Sequence, residues 1–387
     1  MVLKKMTVQE TLADLVAIDS VSSRSNAALV DYLARRSEAI GLAFTRLPYT
    51  DESGVEKLNL IALAGAEFSD QPDPQPQVEL ALVGHTDTVP YDPNWSEALQ
   101  LTERDGKLYG RGACDTKAFI AAALTATEAV IKTGKPLAKP LALVFTADEE
   151  IGLVGAKRLA DARAISARYA IVGEPTSLRP MRAGKGYCLA EITIKGREAH
   201  SAYPALGASA VFGAARLIAR VEGIAADLRS DEHPAFDPSH TTLNVGLVHG
   251  GTAKNVVPGE CRFTLEWRPI PGQGPERLLE LLAEAIAEET QRDPDFDCTV
   301  NAARADEGFE TAPDSTIVRV LEELTGNDAG TVAFGTEAAQ LTALGAEAVV
   351  MGPGDIRVAH RTGEFVPVAE LEACVGILRS AIERLCA

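Results

Sequence analysis

The run LALVFTADEE at 141–150 ends on two adjacent acids, Glu149 and Glu150, where a buried strand would meet solvent. Other apolar runs end in the same way. His85 and Asp87 follow VELALVG, Glu174 follows AIVG, His360 comes a short loop after VVMG, and Asp115 sits in the GRGACDTK turn. In an open α/β sheet ligands bind beyond the carboxyl ends of strands, so residues at these positions are able to meet. Singly, each has an ordinary explanation: a lone Asp after a strand often serves a turn, and paired acids usually face water. Together they form an imidazole and carboxylate set that suits zinc or a similar divalent ion without any thiolate.

Carboxylates gathered at one sheet edge repel one another, and burial without compensation raises their pKa values. Divalent cations remove that penalty. Two such ions about 3.5–4 Å apart need a shared carboxylate, a few terminal ligands and a water made acidic enough to attack at neutral pH. One further carboxylate must stay free to take that water's proton. In the Glu149–Glu150 pair, one side chain can bind metal while the other acts as general base.

Positioning these groups falls to short apolar runs bounded by Gly, Pro or acids: VELALVGH, LALVFTA, RYAIVGE, TVAFG and EAVVMG read as buried strands. Residues 8–16 and 29–33 carry apolar side chains at helical spacing, and 117–132 and 154–162 read as helices between strands. This alternation implies an α/β sheet that is largely parallel. From about residue 183 the rhythm changes. YCLAEITIKG, TTLNVGLVHGG, CRFTLEWRP and FDCTVNA read as strands, and 207–222 and 275–290 as helices. That βαββαβ order predicts a self-contained antiparallel sheet with two helices on one face, inserted into the first domain. The boundaries expected are 1–181 with 308–387 for the α/β body and 182–307 for the insertion, and QPDPQPQ at 71–77 is expected to be a surface loop.

A chain of 387 residues, 46% hydrophobic, can bury two cores. The N-terminal stretch mixes Lys, Gln, Glu and Asp into its apolar positions, and no run of roughly 18 apolar residues occurs, so a cytoplasmic location is expected. The formal charge of −18 disfavours nonspecific binding to nucleic acid or anionic membrane. Six cysteines without CxxC spacing fit reduced, mostly buried thiols. GTAKN lacks the Gly-Lys-Ser/Thr that would cradle a phosphate, and His233, His240 and His249 are expected in solvated loops or strand ends.

GHTDTVP (84–90), GRGACDTK (110–117), ADEEIG (147–152), GEPT (173–176) and AHRTGE (359–364), in order over nearly the whole chain, resemble the motifs of the M20 metallopeptidases and deacylases. The likeness is strongest to the members that deacetylate N2-acetyl-L-ornithine, through RAGKGY, GREAHSAYP, EWRPIPGQ, GTEAAQ and GPGDIRVAH. It implies a zinc-peptidase-like catalytic domain with a mostly parallel mixed sheet and an inserted ferredoxin-like domain serving as lid and dimer contact. It further implies two zinc ions, with cobalt or manganese as alternatives. His85 and Glu174 would hold one ion, Glu150 and His360 the other, and Asp115 would bridge them. Asp87 would orient His85. Glu149 would be the base, and His200 would reach across a homodimer to polarise the substrate carbonyl.

Thr116 and Ala118 stand where the family usually has Met and Gly; they flank Asp115 without replacing it. Arg268, with Asn255 nearby, matches the position that would hold a substrate carboxylate, and Lys185 and Glu337 are candidates to read the substrate's polar end. The implied activity releases acetate and L-ornithine, a step of arginine biosynthesis. A desuccinylase, a dipeptidase or another N-acyl amino acid hydrolase of the same family is the alternative, and a member that has lost catalysis is a third.

Overall fold

The computed structural model describes residues 6–65 and 75–387. Of the surface loop expected at 71–77, residues 71–74 lie outside the described residues. The chain divides into two compact units, Met1–Arg182 with Glu310–Gly330 and Thr336–Ala387, and Ala183–Phe309 with Thr331–Gly335.

In the first unit the sheet runs, in spatial order, Ala43–Thr50, Glu56–Ala64, Leu141–Thr146, Gln77–His85, Ser166–Val172 and Glu347–Val350. The last four are mutually parallel, whereas the two before them pair antiparallel. The sheet is therefore mixed, with its parallel part at the centre. Leu141–Thr146 is buried at every position, as a strand covered on both faces must be. Register decides what happens next. His85 lies opposite Thr146, Val83 opposite Val172, and Val350 opposite Val172, so the chain leaves all four strands at the same edge.

The Ala-rich helix Lys117–Ile131 is buried on nearly every side, packed against the sheet and against the helices Val8–Ala17 and Val368–Cys386. Thr7 and Glu10 cap the first of these reciprocally, Thr7 Oγ1 accepting from the Glu10 N–H and the Glu10 carboxylate from the Thr7 N–H. Gly173, just past the strand Ser166–Val172, lies so close to this layer that a Cβ there would sit 2.1 Å from the Phe119 ring.

The second unit holds a four-stranded antiparallel sheet in the order Thr242–Gly250, Glu260–Arg268, Tyr187–Lys195, Asp297–Asp306. Burial alternates along its central strands, and Ala210–Asp227 and Glu276–Arg292 supply the apolar faces that complete a separate core around Phe263, Leu265 and Trp267. The first helix starts later than the periodicity suggests, because Ser209 caps it by accepting from the Phe212 N–H. It also runs on to Asp227 through an exposed Gly223.

Gly173→Ala should destabilise the protein by about 1–3 kcal/mol through overpacking against Phe119. Gly223→Ala, in an open helical position, should stabilise it by about 0.5–1 kcal/mol. Urea unfolding of both variants checks the pair.

Candidate metal centre and active site

His85 ends its strand fully buried, and its two ring nitrogens are both engaged. Nε2 lies 3.1 Å from Asp115 Oδ1, and Nδ1 lies 3.0 Å from the Asp87 backbone carbonyl. The other Asp115 oxygen, Oδ2, is 3.1 Å from His360 Nε2, which is also 3.1 Å from the Glu150 carboxylate. One carboxylate thus faces two histidines through its two oxygens. Ligand atoms of His85, Asp115 and Glu150 all lie within 4.8 Å of one another, close enough for one ion to touch all three. Glu174 is buried just after its strand, and besides burial the charges of Asp115 and Glu149 act on its carboxyl.

Asp87 holds the paired acids more directly than it holds the imidazole. Its carboxylate stands 3.6 Å from His85 Nδ1, but accepts the N–H of Glu149 at 3.1 Å, the N–H of Glu150 at 3.3 Å and the Ser22 hydroxyl at 2.8 Å. Asp148, with φ of 56°, makes the sharp turn that throws both Glu side chains off the strand. Its buried carboxylate accepts from Lys57 Nζ at 2.7 Å and from the Tyr49 hydroxyl at 2.8 Å. Asn59 closes the turn by accepting from the Ala147 N–H and donating to the Gly155 carbonyl.

Asp115 is fixed from behind. Glu364 Oε1 accepts the N–H groups of Cys114 at 2.8 Å and Asp115 at 3.0 Å, while Oε2 pairs with the buried Arg111. The loop that carries His360 to one side of Asp115 therefore carries Glu364 to the other.

Burial is the largest influence on the acids here. It pushes Glu149 and Glu174 well above the usual carboxylate range, with His85 opposing and neighbouring acids adding to the rise. Burial also raises Glu150, against the His360 hydrogen bond. Hydrogen bonds to Asp115 and Glu150 lift His360 to about 10, and His85 is raised despite burial by Asp115 and Asp87. Asp115, facing both imidazoles, is lowered despite its own burial. So many acids held so close leave the protein alone short of positive charge, and an imidazole and carboxylate donor set without thiolate fits zinc-type dications.

The remaining candidates belong to the second unit, except Glu337. His200 is exposed in the short strand Ala199–His200 and accepts the Ala202 N–H at Nδ1. The exposed Asn255 lies next to it, its carbonyl accepting from Ser201 N–H at 3.0 Å. Arg268 stacks on Tyr187 and bonds Glu266 and the Ala333 carbonyl. The buried Nζ of Lys185 donates to the Pro238 and His240 carbonyls at 2.7 Å each, and so ties down that loop. His249 is exposed, whereas His233 is partly buried edge-on against Phe236. Glu337 is in the first unit, 1% exposed. Sequence reasoning missed Ser22, Tyr49, Lys57, Arg111 and Glu364, although the last two stand inside GRGACDTK and AHRTGE.

The description "Peptidase family M20/M25/M40" matches residues 81–384. A protein of Myxococcus xanthus called acetylornithine deacetylase is 53% identical over 98% of this chain and 97% of its own length. One of the same name from Proteus mirabilis is 34% identical over 99% of this chain and 98% of its own. Among solved structures, a Staphylococcus aureus tripeptidase superposes with a TM-score of 0.74 at 23% identity, covering 100% of this chain and 99% of its own. A Sulfolobus solfataricus M20 metallo-carboxypeptidase superposes at 0.75 and 18% identity, covering 98% and 99%. At such identities the two structures speak for the fold alone.

Glu364→Gln keeps an acceptor for the two N–H groups but leaves Arg111 buried without its counter-charge. It should cost about 3 kcal/mol in urea unfolding and weaken zinc binding in a titration. Without cations, Glu337, pushed up to about 7 by burial, and His360, raised to about 10, hold protons more tightly folded than unfolded. Their contribution is complete below the ordinary values and is lost as pH rises through the raised ones. Chelator-treated protein should lose melting temperature from about pH 4.5 to about pH 10, and added zinc should remove most of that slope. Parallel curves with and without zinc would contradict the placement of cations among these groups.

Proposed function

The chain belongs to peptidase family M20/M25/M40, a family of metal-dependent hydrolases, and from that premise we propose that it removes the acetyl group from N2-acetyl-L-ornithine. The products are acetate and L-ornithine, which would place the enzyme in arginine biosynthesis and in the cytoplasm. The observation that carries this assignment is the 53% identity, over nearly full length, to a relative called acetylornithine deacetylase in a chain that keeps every predicted ligand and Glu149. Among the described residues no helix is long and apolar enough to cross a membrane.

His85 and Glu174 would hold one zinc ion, Glu150 and His360 a second, and Asp115 both; cobalt or manganese could replace zinc in such a nitrogen and oxygen set. When bound, the ions supply Lewis acidity toward the acyl oxygen and toward water. Glu149 takes the proton of the attacking water and delivers it to the departing amine nitrogen, so that the C–N bond breaks as the new C–O bond is kept. Its raised affinity for protons suits both halves of that task. Asp87 keeps Glu149 in position through the backbone N–H it accepts. His200 polarises the acyl carbonyl, and Arg268 with Asn255 takes the α-carboxylate.

A homodimer through the second unit is part of the proposal. Leu247 and Val248 are 58% and 53% exposed on the edge strand Thr242–Gly250, and Phe212 is 71% exposed on the neighbouring helix. Edge strands with apolar side chains are otherwise a liability in solution. In this arrangement His200 would act on the partner's substrate.

Glu149→Ala should retain zinc by elemental analysis while kcat falls by about 10²–10⁴. Steady-state assays with N2-acetyl-L-ornithine, N-succinyl-L,L-diaminopimelate and N-acetyl-L-methionine should favour the first by at least about tenfold in kcat/KM. A preference of that size for another substrate would replace the substrate named here and leave the hydrolytic chemistry standing.

A further inference from the structure

Most buried carboxylates around the metal centre have a partner. Asp87 accepts from Ser22 and two N–H groups, Asp148 from Lys57 and Tyr49, and Glu364 from Arg111 and two N–H groups, while Asp115 and Glu150 face histidines. Among the described residues, Glu337 has neither a donor nor a cation on one of its oxygens. It lies just before the short helix Ala338–Ala343, is 1% exposed, and its Oε1 is sealed from solvent without a hydrogen-bond partner.

The charges that act on it are those of the candidate centre. Burial raises its carboxyl, His85 and the Thr146 hydroxyl oppose that rise, and Glu337 in turn bears on Glu149 and Glu174. Thr146 ends the strand opposite His85, and although its hydroxyl is near enough to act on Glu337, neither atom completes a hydrogen bond. Gln340 Oε1, three residues along on the same helical face, is also buried without a partner. Two acceptors, Glu337 Oε1 and Gln340 Oε1, sealed from water with nothing donating to them are unfavourable unless a donor arrives. An ammonium group carries three donors and a positive charge.

We propose that Glu337, assisted by Gln340 and Thr146, receives a side-chain ammonium of the acyl amino acid and so selects a cationic substrate. This rests on the N2-acetyl-L-ornithine assignment above. In that molecule a flexible three-methylene side chain lets the amide lie at Glu149 while the terminal ammonium reaches a carboxylate close by. Neutral side chains of the same length would leave the buried charge unpaired, so discrimination arises from the cost of the wrong occupant as much as from the attraction of the right one.

The test compares kcat/KM of the zinc-loaded enzyme on N2-acetyl-L-ornithine, N-acetyl-L-norvaline and N2-acetyl-L-lysine. Wild type should prefer the ornithine over the norvaline derivative by at least about 30-fold, and Glu337→Gln should bring that ratio to within about threefold of unity. Glu337→Asp, whose carboxylate retreats by one methylene, should raise the lysine-to-ornithine ratio at least about fivefold. An ornithine preference undiminished in Glu337→Gln overturns the proposal alone. A wild type without any such preference overturns the substrate assignment and the proposal with it. Should Glu337→Gln not fold, the Glu337→Asp ratio decides, and an unchanged value overturns the proposal.

Discussion

Negative charge cannot collect at the edge of a sheet unless something positive meets it there, and that constraint shapes the first unit. The in-register parallel strands bring His85, the Asp148–Glu150 turn and Glu174 out at one edge, while the loops holding Asp115 and His360 close over it. Without cations, the two imidazoles are the only positive partners that Asp115 has within hydrogen-bonding distance among the described residues. Protons and dications compete for the same acids, so metal affinity, pH and stability are linked in this protein.

Around that edge the fold also carries pairs that are already neutral. Lys57 with Asp148 sets the turn of the paired Glu residues, and Arg111 with Glu364 sets the backbone of Asp115. Buried pairs of this kind add little net stability compared with apolar side chains, but they fix geometry, because breaking one strands a charge. Ligand positions are thereby set to within narrow limits before any ion arrives, which is what positioning a reacting water requires. Glu337 is the exception in this frame, and its unpaired oxygen is where selectivity among acyl amino acids can reside.

The strands were legible because a run such as VELALVG is apolar throughout, as burial on both faces demands, and because polar residues capable of chemistry follow such runs at once. His85, Asp115, Glu150 and His360 could be named together from that placement and from the family resemblance. The supporting groups could not. Lys57 sits in EKLNLIALA, where a single lysine reads as a solvated position, yet it is 1% exposed and meets Asp148 from 91 residues away. Arg111 and Glu364 are 253 residues apart, and only tertiary structure joins them. Lys185, a candidate substrate contact in the motif RAGKGY, donates to two backbone carbonyls that its motif gave no sign of. The family resemblance implied a mixed sheet, but the antiparallel strands Ala43–Thr50 and Glu56–Ala64 were not named, since periodicity reports burial and says nothing of direction.

The central claim is that two dications neutralise this edge. X-ray diffraction from zinc-grown crystals, recorded on both sides of the zinc absorption edge, tests it most directly. Two anomalous peaks about 3.5–4 Å apart are predicted, with Asp115 between them and His85 and His360 on opposite sides. A single peak, or zinc found only away from Asp115, would contradict it.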